Sequence, residues 1–458
     1  MESADVLSTL FVFLIGTAAV FAAERLFTAQ ERNFIWIGYA GHVLSGLAMV
    51  WVTIDVLGGG DMRGYHVFGS RLADAMRQDF WNVAPDVVRV TFHDDVPLPV
   101  PIHGIGSASG TMYCLSAFVF LVVGNSLYAA CMLMAVASFF ARLVIYRALR
   151  DNIDAEDRNA VAFAALLVPS VSFWCSGLLK ESFAFFGLAA VFWGTNALLK
   201  RRAPVLPALT VAFGVLLVGI VKPYILMPAG IGIGGWVYFT VTRRQRLHSV
   251  WALPVALAVG IVAVLAVGEL FPRYSFMNLP EETAHIQGMY QLRTSGDSKI
   301  SIVDDPSTVA DRGFAGQLAY APLAILTALF RPSLLDVRNA QMLVNSVEVS
   351  VFTVLFLIIV VRKRVRDLFA ALYARPILAF CLLFVIVMSL GVGLATANLG
   401  SLSRYRTPMM PFYAAALALG LRRREGAIVG APVFGEAPAA RADALVVRNL
   451  RAGGAWRR

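Results

Sequence analysis

The sequence predicts an all-α, polytopic transmembrane helical bundle, and two observations carry that reading. Of 458 residues, 58% are hydrophobic and 15% are charged, whereas soluble domains carry about 25% charged residues. Uncharged apolar stretches long enough to cross a bilayer, roughly 20 residues each, recur from end to end and suggest roughly ten to thirteen spans. Lipid offers no partner to backbone N–H and C=O groups, so the spans must be helices or a closed barrel. Long apolar runs, rather than weak alternating segments, select helices.

The candidate spans are 6–23, 34–57, 111–147, 159–175, 182–199, 204–220, 225–241, 250–270, 316–330, 341–361, 376–396 and 407–421. The 111–147 stretch holds two short helices if it breaks at Gly124-Asn125-Ser126. Five basic clusters orient the chain: Arg147/Arg150/Arg158, Lys200-Arg201-Arg202, Arg243-Arg244-Arg246, Arg362-Lys363-Arg364-Arg366 and Arg422-Arg423-Arg424. The positive-inside rule places all five in the cytoplasm. That parity requires 316–330 to be re-entrant or interfacial. It also turns the segments around Ser176–Glu181, Val221–Tyr224 and Asn398–Arg406 outward. Residues 1–421 then form one membrane domain, with polar outer loops at about 58–110 and 271–315; by parity two helices in 111–147 would turn 58–110 inward and one would turn it outward, the side that the chemistry below favours. Residues 422–458, rich in Ala, Gly and Arg, read as a disordered cytoplasmic tail.

The formal charge of +10 lies in short clusters between apolar runs and in the tail. It therefore reads as a topology signal rather than a nucleic-acid surface. Cys114, Cys131, Cys175 and Cys381 each sit in an apolar stretch with no CxxC pair, which points to core packing. His66, His93, Asp94 and Asp95 have no specific metal spacing, and there is no phosphate loop or nucleophile elbow. No cofactor is required by the pattern, and a divalent metal stays open.

Five constellations could carry chemistry. In GGGDMRGYHVFG, three glycines release the chain before Asp61, which Arg63, Tyr65 and His66 follow. A carboxylate there suits a general base at the membrane edge, or else an ordinary polar helix end. In PSVSFWCSGLLKESFAFFG, Lys180 and Glu181 sit between two apolar helices beside Trp174 and Ser176. Charges so placed serve a polar cavity or a solvated turn. In GIVKPYILMP, Lys222 is the single charge from Ala203 to Thr242, and Pro223 breaks the helix beside it, an arrangement suited to phosphate. In NLGSLSRYRTPMMP, Arg404 and Arg406 flank Tyr405 at a helix start, a further anion signal. In LFRPSLLDVRNAQMLVNSVE, Arg331 precedes a helix on which Gln341, Asn345 and Glu348 share a face. Glu348 then serves a cavity or fixes packing.

Taken together, these residues resemble the GT-C class of integral membrane glycosyltransferases and related bacterial exopolysaccharide-assembly membrane proteins. The likeness rests on Asp61 with Tyr65, the PSxxFWxSGxxKE turn, the Lys222-Pro223 break and the RYRxPxxP element, and covers about residues 58 to 421. It implies a polyprenyl-phosphate-linked sugar or glycan donor, inverting transfer, and chemistry on the periplasmic or extracellular face of a bacterial inner membrane. Asp61 would be the catalytic base, with Glu181 a second catalytic carboxylate. Arg63, Tyr65, His66, Trp174, Lys180, Lys222, Arg331, Glu348, Arg404, Tyr405 and Arg406 would bind substrate. The activity could be that of a transferase, polymerase or ligase, with other polysaccharide-assembly proteins as partners. The competing expectation is a transporter or flippase of lipid-linked glycans, using the same cations without chemistry.

Overall fold

A computed structural model describes residues 3–245 apart from 57, 201 and 202, together with 278–293, 313–338, 340–421 and a few isolated positions between 258 and 302. The expected span at 250–270, most of the outer loop at 271–315 and the tail at 422–458 lie outside the described residues. The described chain is helical throughout. In order it forms α1 (Ser3–Ala23), α2 (Ala29–Trp51), α3 (Asp61–Gln78), α4 (Phe80–Thr91), α5 (Ala108–Val123), α6 (Leu127–Arg150), α7 (Arg158–Leu166), α8 (Pro169–Trp174), α9 (Lys180–Leu199) and α10 (Val205–Val221). These are followed by α11 (Leu226–Gln245), α12 (Leu279–Arg293), α13 (Gly313–Leu318), α14 (Ala321–Phe330), α15 (Ala340–Arg362), α16 (Val365–Ala374), α17 (Ile377–Ala395), α18 (Leu399–Tyr405) and α19 (Met410–Leu421).

Among the described residues, seven helices are long and apolar enough to cross a membrane: α1, α2, α6, α9, α11, α15 and α17. The shorter apolar helices α5, α10, α14 and α19 lie in four more of the stretches expected to span. Helix α14 has 10 residues, or about 15 Å at 1.5 Å per residue, which is half of a hydrocarbon core. It fits the re-entrant or interfacial reading of 316–330. The 111–147 stretch is indeed two helices, parted at Gly124, which adopts φ 75°.

The single span expected at 159–175 is instead two short helices, and proline is the reason. Pro169 starts α8 and has no N–H to give the carbonyl of Ala165 four residues back. Arg142 from α6 takes over that acceptor: its Nε donates to Ala165 O at 2.5 Å, Nη1 to Ser172 Oγ at 2.9 Å and Nη2 to Val168 O at 3.1 Å. A buried arginine thus supplies the hydrogen bonds that the break leaves open. At the same break, Glu348 of α15 accepts from Ser170 N and from Ser170 Oγ, both at 2.7 Å, which caps the first turn of α8.

Polar residues at one end of the bundle also pair with one another. Glu31 is fully buried and accepts from Arg150 Nε at 2.7 Å and from Tyr146. Lys200 Nζ lies 3.6 Å from Asp151, and Arg375 bridges Asp154 and Asp157. Part of the basic clustering therefore serves packing as well as topology. All four cysteines are free and buried.

The interior is closed by an aromatic knot. Phe192 of α9 packs on Phe380 of α17 at 4.8 Å, on Phe412 of α19 at 5.0 Å and on Trp236 of α11 at 5.3 Å between ring centroids. Beside it, α9 and α10 meet through glycines. A Cβ on Gly214 would fall 2.5 Å from Gly187 O, and one on Gly194 would fall 2.8 Å from Pro207 O. Small residues let backbones approach where lipid supplies no hydrophobic drive. Because α9 begins with Lys180 and Glu181, this seam sets where those charges stand. Gly214→Leu should therefore cost about 1–3 kcal/mol through overpacking and lower the thermal unfolding temperature in detergent. Gly391→Ala, at a helical site with nothing within 4 Å of the added carbon, should leave that temperature unchanged or raise it.

Candidate functional site

Two breaks, two helix starts and one short helix bring the charged residues together. Gly58, Gly59 and Gly60 have φ of 67°, 139° and 81°, a left-handed run that only glycine adopts at little cost. They turn the chain out of α2 and leave Asp61 as the first residue of α3, where the helix dipole favours a carboxylate. Glu181 is the second residue of α9. Lys222 sits between α10 and α11, where Pro223 prevents continuation. Arg404 is carried by α18, a short helix capped by Asn398, whose Oδ1 accepts from Gly400 N at 2.7 Å and Ser401 N at 3.2 Å.

These residues form one ionic cluster. Arg404 donates from Nε to Glu181 Oε1 at 2.7 Å and from Nη2 to Glu181 Oε2 at 3.0 Å, the two-pronged geometry that arginine favours. Its remaining Nη1 reaches Asp61 Oδ2 at 3.1 Å. Lys222 Nζ donates to Glu181 Oε1 at 2.5 Å and lies 4.7 Å from the centre of the Tyr405 ring and 5.8 Å from that of Tyr224. The Arg404 guanidinium stands 6.0 Å over Trp174. Lys180 is within electrostatic reach of Asp61, Glu181, Lys222 and Arg404, and its Nζ donates to Ser109 Oγ at 3.1 Å.

Exposure is graded through the cluster. The Glu181 side chain is 0% exposed and Lys222 4%, whereas Arg404 is 20% and Asp61 56% exposed. The deep end is a closed ion pair and the outer end a carboxylate open to solvent. Charge is graded too. Three cations, Lys180, Lys222 and Arg404, face two carboxylates, Glu181 and Asp61. Glu181 absorbs three charge-assisted bonds, which leaves Lys180 as the cation whose charge is least compensated. Both Glu181 oxygens are engaged by cations, so its geometry is that of a counter-ion that fixes Arg404 and Lys222. Tyr65 packs one turn after Asp61, buried against Tyr113 at 5.4 Å between ring centroids. Burial and the Asp61 carboxylate raise its phenol, so it stays protonated.

Several expected site residues are engaged elsewhere. Arg406 is buried, and its Nη1 donates to Arg331 O at 2.6 Å and Ala328 O at 3.4 Å. It closes the C-terminal end of α14, where a cation suits the helix dipole, and does not join Arg404. Arg331 clips Asp336 at 2.5 and 3.2 Å. That bond, with Ser333 N–H, holds the Asp336 carboxyl down to about 2. Glu348 caps α8, as described above. His66 Nε2 lies 2.9 Å from Asn125 O and ties α3 to the α5–α6 turn. Arg63 folds back on Gly58 O at 3.4 Å. Sequence reasoning passed over Ser109, Tyr113 and Tyr224, ordinary polar residues that no motif marks. It also passed over Arg142, which a lone arginine in the apolar run of α6 could have signalled. Among the described residues, no group of three or more His, Cys, Asp or Glu is placed to hold a metal ion.

No family model, curated protein or solved structure matches this chain. The chemistry of the cluster therefore rests on its own geometry. A closed ion pair makes different demands from an exposed one. Glu181→Ala would leave Lys222 and Arg404 without their buried counter-ion and should cost about 3–5 kcal/mol. Asp61→Ala removes a solvent-screened contact and should cost about 1 kcal/mol or less. Thermal unfolding of the two purified variants checks the ranking; equal losses would contradict the closed-to-open grading.

Proposed function

We propose that this chain is an integral membrane glycosyltransferase that uses a polyprenyl-phosphate-linked sugar or glycan donor in assembling cell-surface polysaccharide. In this proposal it acts at the periplasmic face of a bacterial inner membrane, as a transferase, polymerase or ligase. The observation that carries the reading is the graded cluster itself. An exposed carboxylate, Asp61, stands 3.1 Å from an arginine whose other prongs are locked to a buried glutamate. Cations outnumber carboxylates around them. Such a site can accept a proton at its open end and hold an anion beside it. The apolar helices supply a bilayer setting for a lipid-linked donor, and the likeness of Asp61, the FWxSGxxKE turn and Arg404 to GT-C elements supports the same reading.

In the proposed reaction, the acceptor hydroxyl gives its proton to the Asp61 carboxylate while its oxygen attacks the anomeric carbon. The bond from that carbon to the phosphate oxygen breaks, and the leaving phosphate takes the electron pair. Lys180 meets the new charge, supported by Arg404 and Lys222. Glu181 keeps the two inner cations in place and exchanges no proton. Trp174 and Tyr405 present ring faces beside the cations, surfaces against which a sugar can stack.

The test uses purified protein in lipid, with donor binding and product formation measured separately. Asp61→Asn preserves size and should leave donor binding intact while lowering turnover by about 100-fold or more, the scale of a lost general base. Lys180→Met and Arg404→Lys should weaken both binding and turnover, the latter because lysine has no planar fork. Full transfer by Asp61→Asn would remove the proposed base. A protein that moves lipid-linked glycans across vesicles but forms no product would be a transporter or flippase instead.

A further inference from the structure

Helix α16 has a surface that the bundle does not use. It follows the lipid-length helix α15 after a two-residue step, and none of its residues is buried. Val365, Leu368 and Phe369 recur at i, i+3 and i+4 on one face of the first two turns, and Leu372, a turn further on, packs against the core. Val365 is 72% exposed and Phe369 55%. This face follows directly in sequence on α15, where Val354, Leu357, Val360 and Val361 are also exposed. The C-terminal end, in contrast, is anchored. Arg243 Nη1 donates to Ala374 O at 2.6 Å, Tyr373 packs on Phe239 at 5.1 Å, and Arg375 is tied to Asp154 and Asp157. The helix is held to the bundle at its C-terminal end, and the apolar face of its first two turns is left open.

Charge names what covers it. Arg362, Lys363, Arg364 and Arg366 crowd the start of α16 around Asp367, whose Oδ2 accepts from Arg364 N at 2.9 Å and whose Oδ1 lies 3.8 Å from Arg366 Nε. An exposed apolar stripe that follows a lipid-facing span, bordered by basic residues, is the pattern of a helix lying in the membrane surface. Cations at that depth are drawn to anionic headgroups. We propose that α16 lies in the bilayer surface and binds anionic lipid headgroups through Arg362, Lys363, Arg364 and Arg366. Helix α17 has 19 residues, about 28 Å at 1.5 Å each, and separates this surface from α18 with Arg404. The inference is therefore independent of the proposed transferase chemistry.

The experiment uses the full-length protein, because the four native cysteines are buried and a single surface label can be added. Phe369→Cys carrying an environment-sensitive fluorophore is reconstituted in phosphatidylcholine vesicles with or without phosphatidylglycerol. Quenching by headgroup-level lipid nitroxide is compared with quenching by aqueous iodide. Nitroxide quenching should dominate and strengthen with phosphatidylglycerol. Each of Arg362→Gln, Arg364→Gln and Arg366→Gln should weaken that preference about fivefold. Iodide quenching that exceeds nitroxide quenching in both lipids would overturn the proposal, and so would nitroxide quenching indifferent to lipid charge. Energy transfer between labels on two copies, with neither quencher effective, would overturn it in favour of self-association. The lipid comparison leaves all four basic residues unchanged, so it decides the matter even if an arginine variant folds poorly.

Discussion

A carboxylate that water cannot reach must find its counter-charges within the protein, and Glu181 finds three donors. Burying an ion without partners costs several kcal/mol even after relaxation, so the pairing to Lys222 and Arg404 offsets a penalty that would otherwise oppose closing the bundle. It also joins distant parts of the chain. Glu181 opens α9, Lys222 fills the break between α10 and α11, and Arg404 rides on α18. Around residue 181 the fold and the site are therefore one problem. Moving any of these elements opens the ion pair, and the ion pair in turn decides where the remaining prong of Arg404 points.

A second set of buried charges does similar work at a different place. Arg142 and Glu348 both attend the interruption between α7 and α8, one at its vacant carbonyls and the other at its first free N–H. Proline creates the vacancy, and charged side chains from α6 and α15 fill it. That repair fixes the direction of α8, and α8 delivers Trp174 to the Arg404 guanidinium. The interruption is a way of bringing an aromatic ring and a turn to the cluster, made tolerable in a low-dielectric interior by two residues remote in sequence.

Much of the fold was legible in the sequence because membrane spans announce themselves by composition. The breaks at Gly124 and Pro223 and the short α14 were readable from glycine, proline and length. The interruption at Pro169 was misread as one span, because flanking apolar residues mask a two-residue step. In the candidate site, Asp61, Lys180, Glu181, Lys222 and Arg404 stood out as charges among apolar neighbours, and the structure gathers them. The sequence could not tell which of the lone charges meet. Arg404 and Arg406 are two residues apart, yet one reaches Glu181 and the other the end of α14. A helical step of about 200° between them sends the side chains to opposite sides, and only the packing of α14 decides which side is which. Glu181 likewise is a charge in an apolar run that carries no label saying that its partners lie 41 and 223 residues away.

The glycines before Asp61 raise a different issue, that of tolerance to change. Positions with empty space around them usually accept many residues, and a side-chain carbon at Gly58 or Gly60 would meet nothing within 4 Å. Their constraint is torsional instead. Each holds a positive φ that an L-residue adopts only at a cost of roughly 1 kcal/mol or more, and three such residues stand in a row. In a population of variants, Gly58 and Gly60 should therefore accept few substitutions, although a side chain at either would have room. A reader judging importance by contacts would discount the three residues that aim the one open carboxylate of the cluster.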